Sequence, residues 1–291
     1  MIRLSIAFVS ASTFAFGHLC AEQGMLSVHI ANPQGRPISG VVLGTLGEGS
    51  TSSPTDRSGK TRLRLAPGIQ PGAWVALQVA AQRDLVFVSP WNARARVPPF
   101  ENPSENFVQV VLAPRGDRSL LESRKGVAAL AGRVNAASAP AASEQGSVEE
   151  RRAVALGETA RLFGIERSEV DRAIRALAAN GEDPYEKGMS ALYARDYANA
   201  APQLSEALLT RGKSLRRVPA EVANAAMFLG QALFESGKFD KAVEAYRKAL
   251  RERPDDAIIL NGLGAALLKD GKPELAEPFV RRAAELQSET K

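Results

Sequence analysis

Residues 228–256 read FLGQALFESGKFDKAVEAYRKALRERPDD. Apolar positions recur at helical spacing on both sides of Ser236-Gly237, which predicts two helices joined by a tight turn. The small residues decide what these helices do. Gly230, Ala242 and Ala249 stand where an amphipathic helix usually carries bulk, so something must approach them closely. A shift of about 34 residues, the length of one two-helix repeat, places Gly230 on Gly264, Leu233 on Leu267 and Gly237 on Gly271. The same shift places Ala242 on Ala276 and Ala249 on Ala283. A third copy lies upstream in DPYEKGMSALYARDYANAAPQLSEALLTRG, where Gly188, Tyr197, Ala200 and Ala207 match Gly230, Phe239, Ala242 and Ala249. It is out of phase by a short insertion carrying Arg211, Lys213, Arg216 and Arg217, and Arg195-Asp196 replaces the turn glycine.

Gly230 and Ala242 are expected to meet at the crossing within one hairpin, with Leu229, Leu233, Tyr246 and Leu250 filling the space around them. Pro254 ends one helix and Pro273 suits the first turn of another. One such hairpin cannot bury its apolar face alone, so the copies stack. The pattern resembles the tetratricopeptide repeat family over roughly the last third of the chain, as three repeats at about 181–214, 223–256 and 257–290. The resemblance implies a scaffold that holds a protein or peptide in the concave groove lined by the first helix of each repeat. Helical spacing puts Tyr185, Met189 and Tyr193 on that face, then Asn224, Met227, Gln231 and Phe234, then Asn261, Ala265 and Lys269. Some members clamp a terminal carboxylate with Lys, Asn and Arg. Here those places hold Tyr185, Met189, Phe228, Ile258 and Gly262, so that clamp is absent. The array is expected to melt as a unit, separately from what precedes it.

The period changes to two after residue 24. In LSVHIAN, Leu26, Val28 and Ile30 face one way and Ser27 and His29 the other. ISGVVLGTL, a strand around Leu63 and Leu65, AWVALQVA, DLVFVSP and NFVQVVLAP are further short strands between turn signals such as Asn32-Pro33-Gln34-Gly35. The expected fold class is multidomain: an antiparallel β-sandwich followed by an all-α helical-repeat array. Gly35, Pro37, Ile38 and Gly40, then Thr55, Asp56 and Gly59, resemble the turns of the carboxypeptidase regulatory-like, prealbumin-type sandwich domain, here residues 25–114. That resemblance implies a non-catalytic accessory module. Asp56 is read as a turn residue bonding its own backbone, and Trp91 and Phe100 as a lid on the sandwich edge within a proline-rich loop.

Residues 115–150 predict one amphipathic helix up to Asn135 and then the flexible linker NAASAPAASEQGS. Residues 151–180 predict two helices broken at Gly164, the second capped by Ser168 and Asp171. They are read as a hairpin capping the array in preference to a DNA-reading helix-turn-helix.

The first 21 residues have the form of an export signal: Arg3, an apolar run from Leu4 to Phe16 and a small residue at Ala21. The run is too short to anchor the mature chain, which is then expected to be periplasmic or secreted with no stable membrane span. Leu19 before Cys20 is a poor match to a lipid-attachment site. Cys20 is the only cysteine among 291 residues, and His18 and His29 are the only histidines, which leaves little for metal or nucleophilic chemistry. The net charge of +5 comes without a basic run interleaved with aromatics, so nucleic acid is not a suggested partner. The expectation is an exported, non-enzymatic scaffold without cofactors. The alternative is a cell-wall or glycan-binding module acting through exposed aromatic rings of the sandwich.

Overall fold

The computed structural model describes residues 24–46, 50–100, 102, 105–141, 146–180, 182–214 and 218–288. The expected export signal, with its cleavage point at Ala21, lies outside the described residues. Among the described residues seven strands come first: β1 (Met25–Ala31), β2 (Leu43–Thr45), β3 (Lys60–Arg64), β4 (Trp74–Val79), β5 (Leu85–Ser89), β6 (Arg94–Arg96) and β7 (Val108–Pro114). They form a four-stranded sheet in the order β3-β1-β7-β5 and a three-stranded sheet in the order β2-β4-β6. The pairing is not wholly antiparallel, as the sequence pattern suggested, because β1 runs parallel to β7. A parallel pair needs a long crossover, and the whole run from β2 to β6 supplies it. Strand β6 lies inside the stretch read as a loop. Its single inward residue, Ala95, is flanked by Arg94 and Arg96, so the apolar alternation that marks a strand is almost missing.

Leu26, Val28 and Ile30 of β1 pack with Leu63, Phe87, Val110 and Leu112 of the same sheet and with Leu43, Val75, Leu77 and Ala95 of the other. On the opposite faces of β5 and β7, Val86, Val88 and Ala113 belong instead to the core of the helical half. These two strands are therefore buried on both sides, which accounts for their nearly continuous apolar runs, LVFV and VVLA.

Among the described residues ten helices follow: α1 (Ser119–Glu122), α2 (Arg124–Ala137), α3 (Val148–Phe163), α4 (Arg167–Asn180), α5 (Pro184–Tyr193), α6 (Tyr197–Lys213), α7 (Pro219–Glu235), α8 (Phe239–Glu252), α9 (Ala257–Lys269) and α10 (Pro273–Ser288). The single helix expected before Asn135 is two pieces. Ser123 is extended at the break (φ −89°, ψ 118°), its hydroxyl accepting from the Gly126 N–H and donating to the Pro33 carbonyl. Helix α2 then continues past Asn135 into the segment read as a linker. Helix α3 begins on a reciprocal Ser147–Glu150 capping box. Ser168 is no cap, because α4 already starts at Arg167.

Helices α5–α10 make three hairpins, and each turns on one left-handed residue: Arg195 (φ 65°), Gly237 (φ 75°) and Gly271 (φ 76°). In each, the next N–H reaches back five residues: Asp196 to Ala191, Lys238 to Leu233 and Lys272 to Leu267, all at 2.9 Å. Arg195 thus does the work of a glycine, at a cost of about 1–2 kcal/mol.

The hairpin crossings also share one register, and the atoms nearest Gly230 belong to the Tyr246 ring. A Cβ on Gly188 would stand 2.7 Å from Leu204, on Gly230 2.9 Å from the Tyr246 ring, and on Gly264 2.6 Å from Val280. Leu204, Tyr246 and Val280 are themselves equivalent positions, 42 and 34 residues apart. Tyr246 is the largest of the three, and the next repeat makes room for it. A Cβ on Gly262 would be 2.6 Å from the other edge of the same ring. Tyr246 is 1% exposed, and among the described residues its hydroxyl has no hydrogen-bond partner. Burial, then the nearby Glu235 carboxylate, pushes its ionisation far above the usual tyrosine range. Tyr246→Phe removes a buried oxygen without a partner, so unfolding by denaturant should show unchanged or slightly greater stability. A loss above about 1 kcal/mol would mean the hydroxyl is bonded in solution.

Candidate binding groove of the helical array

The first helices α5, α7 and α9 carry the residues that the repeat pattern assigned to the concave face. Much of that face is already covered by the chain itself. Helix α2 lies against α3, α4 and α5. The Asn135 side-chain amide donates to the Met189 carbonyl at 3.1 Å, and the Gln231 amide donates to the Asn135 carbonyl at 3.0 Å. At Gly132, an added Cβ would lie 3.6–3.8 Å from Trp91, Met189 and Phe228, so strand unit, α2 and two repeats meet there. The helix can approach so closely because its inner residues are small: Ala128, Ala131, Gly132 and Ala136 are all buried.

The consequences for the assigned groove residues differ along the array. Met189, Met227 and Gln231 are 0–1% exposed, sealed under α2 and its surroundings. Tyr193 is 2% exposed and turned toward α4, its hydroxyl donating to Asp171 at 2.5 Å with Arg152 and Arg175 over its ring. Burial and then the Asp171 bond push its ionisation well above the usual tyrosine value. Tyr185 stacks under the Arg211 guanidinium at 3.9 Å and leans on Phe228 at 6.4 Å. Burial raises its pKa to about 12. Phe234 is half-buried and packs edge-on against Phe239 at 5.4 Å. Asn261 is partly exposed, Lys269 is exposed and Ala265 is buried. Of the residues assigned to the concave face, Lys269 is thus the most open, with Tyr185, Asn224, Phe234 and Asn261 partly so.

Sequence reasoning missed Arg253. Its side chain is 5% exposed and pairs with Asp256 at 3.2 Å. One terminal nitrogen also donates to Asn224 Oδ1 at 2.8 Å and lies 3.9 Å from the Met227 sulfur. Trp74 stacks near it at 5.9 Å and donates from its indole N–H to the Glu252 carbonyl at 3.2 Å. Arg94 reaches the Asp255 carbonyl at 3.2 Å. The three-stranded sheet is therefore fastened to the α8–α9 turn, and Asn224, assigned to ligand, is committed to this buried network. The Arg-Glu-Arg-Pro-Asp-Asp run reads as a solvated helix end, so nothing in its composition signals a buried ion pair.

Neither tryptophan faces solvent as a platform. Trp74 caps the Arg253 network, and Trp91 packs on the helical core, not as the sandwich-edge lid that its loop suggested; Phe100 does pack on the strand core. Asp56 accepts from the Ser58 and Lys60 N–H groups at 2.8 and 2.9 Å, which with the Ser58 hydroxyl holds its carboxyl below the usual range. His29 stacks on Phe107 at 3.7 Å. Among the described residues, no group of three or more His, Cys, Asp or Glu could hold a metal, and no helix is long and apolar enough to cross a membrane.

The family described as Tetratricopeptide repeat matches residues 185–257 and 229–289, so the hairpins from α5 to α10 are tetratricopeptide repeats. A 65-residue segment, 22% of the chain, is 37% identical to the peroxisomal targeting signal receptor of Candida albicans (strain SC5314 / ATCC MYA-2876) and spans 11% of that protein's length. The solved structures titled MamA AMB-1 and MamA MSR-1 are each 18% identical, with TM-scores of 0.34 and 0.36. They cover 58% and 60% of this chain and 88% and 95% of their own.

Proposed function

We propose that the chain is an exported, non-enzymatic adaptor that holds a protein segment on the concave side of its repeats, along the strip from Phe234 to Lys269. The observation carrying this reading is the seat of α2. The same concave face already holds one helix through side-chain-to-backbone bonds from Asn135 and Gln231, which is the chemistry a peptide ligand would use. The strands are read as the carboxypeptidase regulatory-like module, supported by the core the two sheets share and by the Asp56 turn. In this reading the module braces the array and binds nothing itself. The glycan-binding alternative requires exposed aromatic rings on the strands, and both tryptophans are turned to the helices.

The test uses the full chain purified from the envelope of an exporting cell, where its N-terminus should begin close to Glu22. Phe234→Ala should weaken capture of the co-purifying protein by about 1–2 kcal/mol without unfolding the chain. Lys269→Glu should weaken an acidic ligand similarly. Capture that survives both changes, or a chain recovered uncleaved from the cytosol, would overturn the proposal.

A further inference from the structure

A second groove lies between α6 and α8, lined along α6 by Tyr197, Ala198, Ala201, Pro202, Ser205 and Leu208. Its floor includes Leu229, Leu233 and Ala245, and its volume is about 470 Å3. The lining positions on α6 (197, 201, 205, 208) and on α8 (241, 245, 248) each follow one helical face, so the trough is straight and about three turns long. Its walls are not neutral. Lys238, Lys241 and Lys248 stand along the α8 side with Glu244 as the one acid. Pro202, inside α6, has no N–H to give the Ala198 carbonyl four residues back, so an acceptor on the opposite wall lacks its helical donor.

We infer that this trough binds an acidic amphipathic helix of a partner protein. Three features fit that occupant together. A floor of Ala, Leu and Pro accepts an apolar stripe at helical spacing. Small residues at Ala198, Ala201 and Ala245 leave room for a helix rather than a flat strand. Three ammonium groups along one wall complement carboxylates flanking such a stripe and repel a basic one. The site is distinct from the concave strip, because none of its lining residues is one of those assigned to the concave face, and its charged wall belongs to the second helix of the hairpin. One chain could then hold two partners, or two segments of one partner.

The probe is a fluorescein-labelled synthetic peptide of about four helical turns, with leucines on one stripe and glutamates beside it. It is titrated into the full chain at low and high salt and followed by anisotropy. Binding should fall with salt. Lys238→Glu/Lys241→Glu/Lys248→Glu should lower affinity at least about tenfold. A peptide with lysines for the glutamates should bind the triple variant better than the parent. Phe234→Ala should leave the acidic peptide unaffected. Equal binding by parent and triple variant, loss of binding through Phe234→Ala alone, or a lysine-dependent affinity for anionic vesicles with none for the peptide would each overturn the assignment.

Discussion

Arg253→Ala should destabilise the chain by about 3–5 kcal/mol, the range for removing one partner of a buried ion pair. The side chains of Arg253 and Asp256 are only 5% and 8% exposed, so the remaining charge has little water to turn to. Asp256 keeps some compensation, because its Oδ1 caps α9 by accepting from the Ile258 and Ile259 N–H groups. The other oxygen faces the vacated guanidinium space. Asn224 and Trp74 lose a neighbour at the same time, so fluorescence of Trp74 should change in the native baseline. Arg253→Met fills the volume but leaves the carboxylate, and should cost nearly as much. Arg253→Met with Asp256→Asn keeps a capping oxygen and removes both charges, and should return most of the stability. Denaturant titration of the three variants checks the ordering; an Arg253→Ala loss below about 1 kcal/mol would show that the pair is solvated.

A change of sign is expected at Gly262. Glycine inside a helix is normally about 1 kcal/mol worse than alanine. Gly262→Ala should nevertheless cost about 1–3 kcal/mol, because the new methyl would sit 2.6 Å from the Tyr246 ring. The ring cannot retreat, since Gly230 receives its other side. Gly230→Ala should behave alike. In a Tyr246→Ala background both substitutions should become neutral or stabilising, and the double-mutant cycle should show a coupling of about 0.5–3 kcal/mol. Additive costs in that cycle would mean that the glycines serve backbone geometry instead of the ring.

The repeats were legible because a hairpin crossing imposes the same demand every time. Gly188, Gly230 and Gly264 recur with a bulky residue sixteen positions on, and the period is readable before any contact is known. Gly262 was not legible as part of this, because its need arises from the size of Tyr246 in the preceding repeat. The strands themselves were partly readable from alternation, but not the parallel pairing of β1 with β7, and β6 hid between two arginines. Helix α2 was legible as a helix up to Asn135, but its role was not. Its last three residues were read as the start of the linker, and the small residues at 128, 131, 132 and 136 form a face like the crossings of the repeats themselves. That signal was present. What sequence could not supply was the address of the partner, because Asn135 meets Gln231 across 96 residues.

That distance bears on the order of events as the chain folds. A stacked array of hairpins can nucleate anywhere and spread between neighbours, and its ends can fray alone. Here α2 is made early but cannot reach its seat until α7 exists, and Trp74 waits for Glu252, 178 positions later. Closing such long loops slows folding more than it weakens the folded state. With these contacts the repeats are expected to melt together with the strands, where their pattern alone implied separate melting. The N-terminal strands and the last two repeats are then expected to finish together, and until they do the Trp74 indole N–H and the Asn135 carbonyl stay open to water.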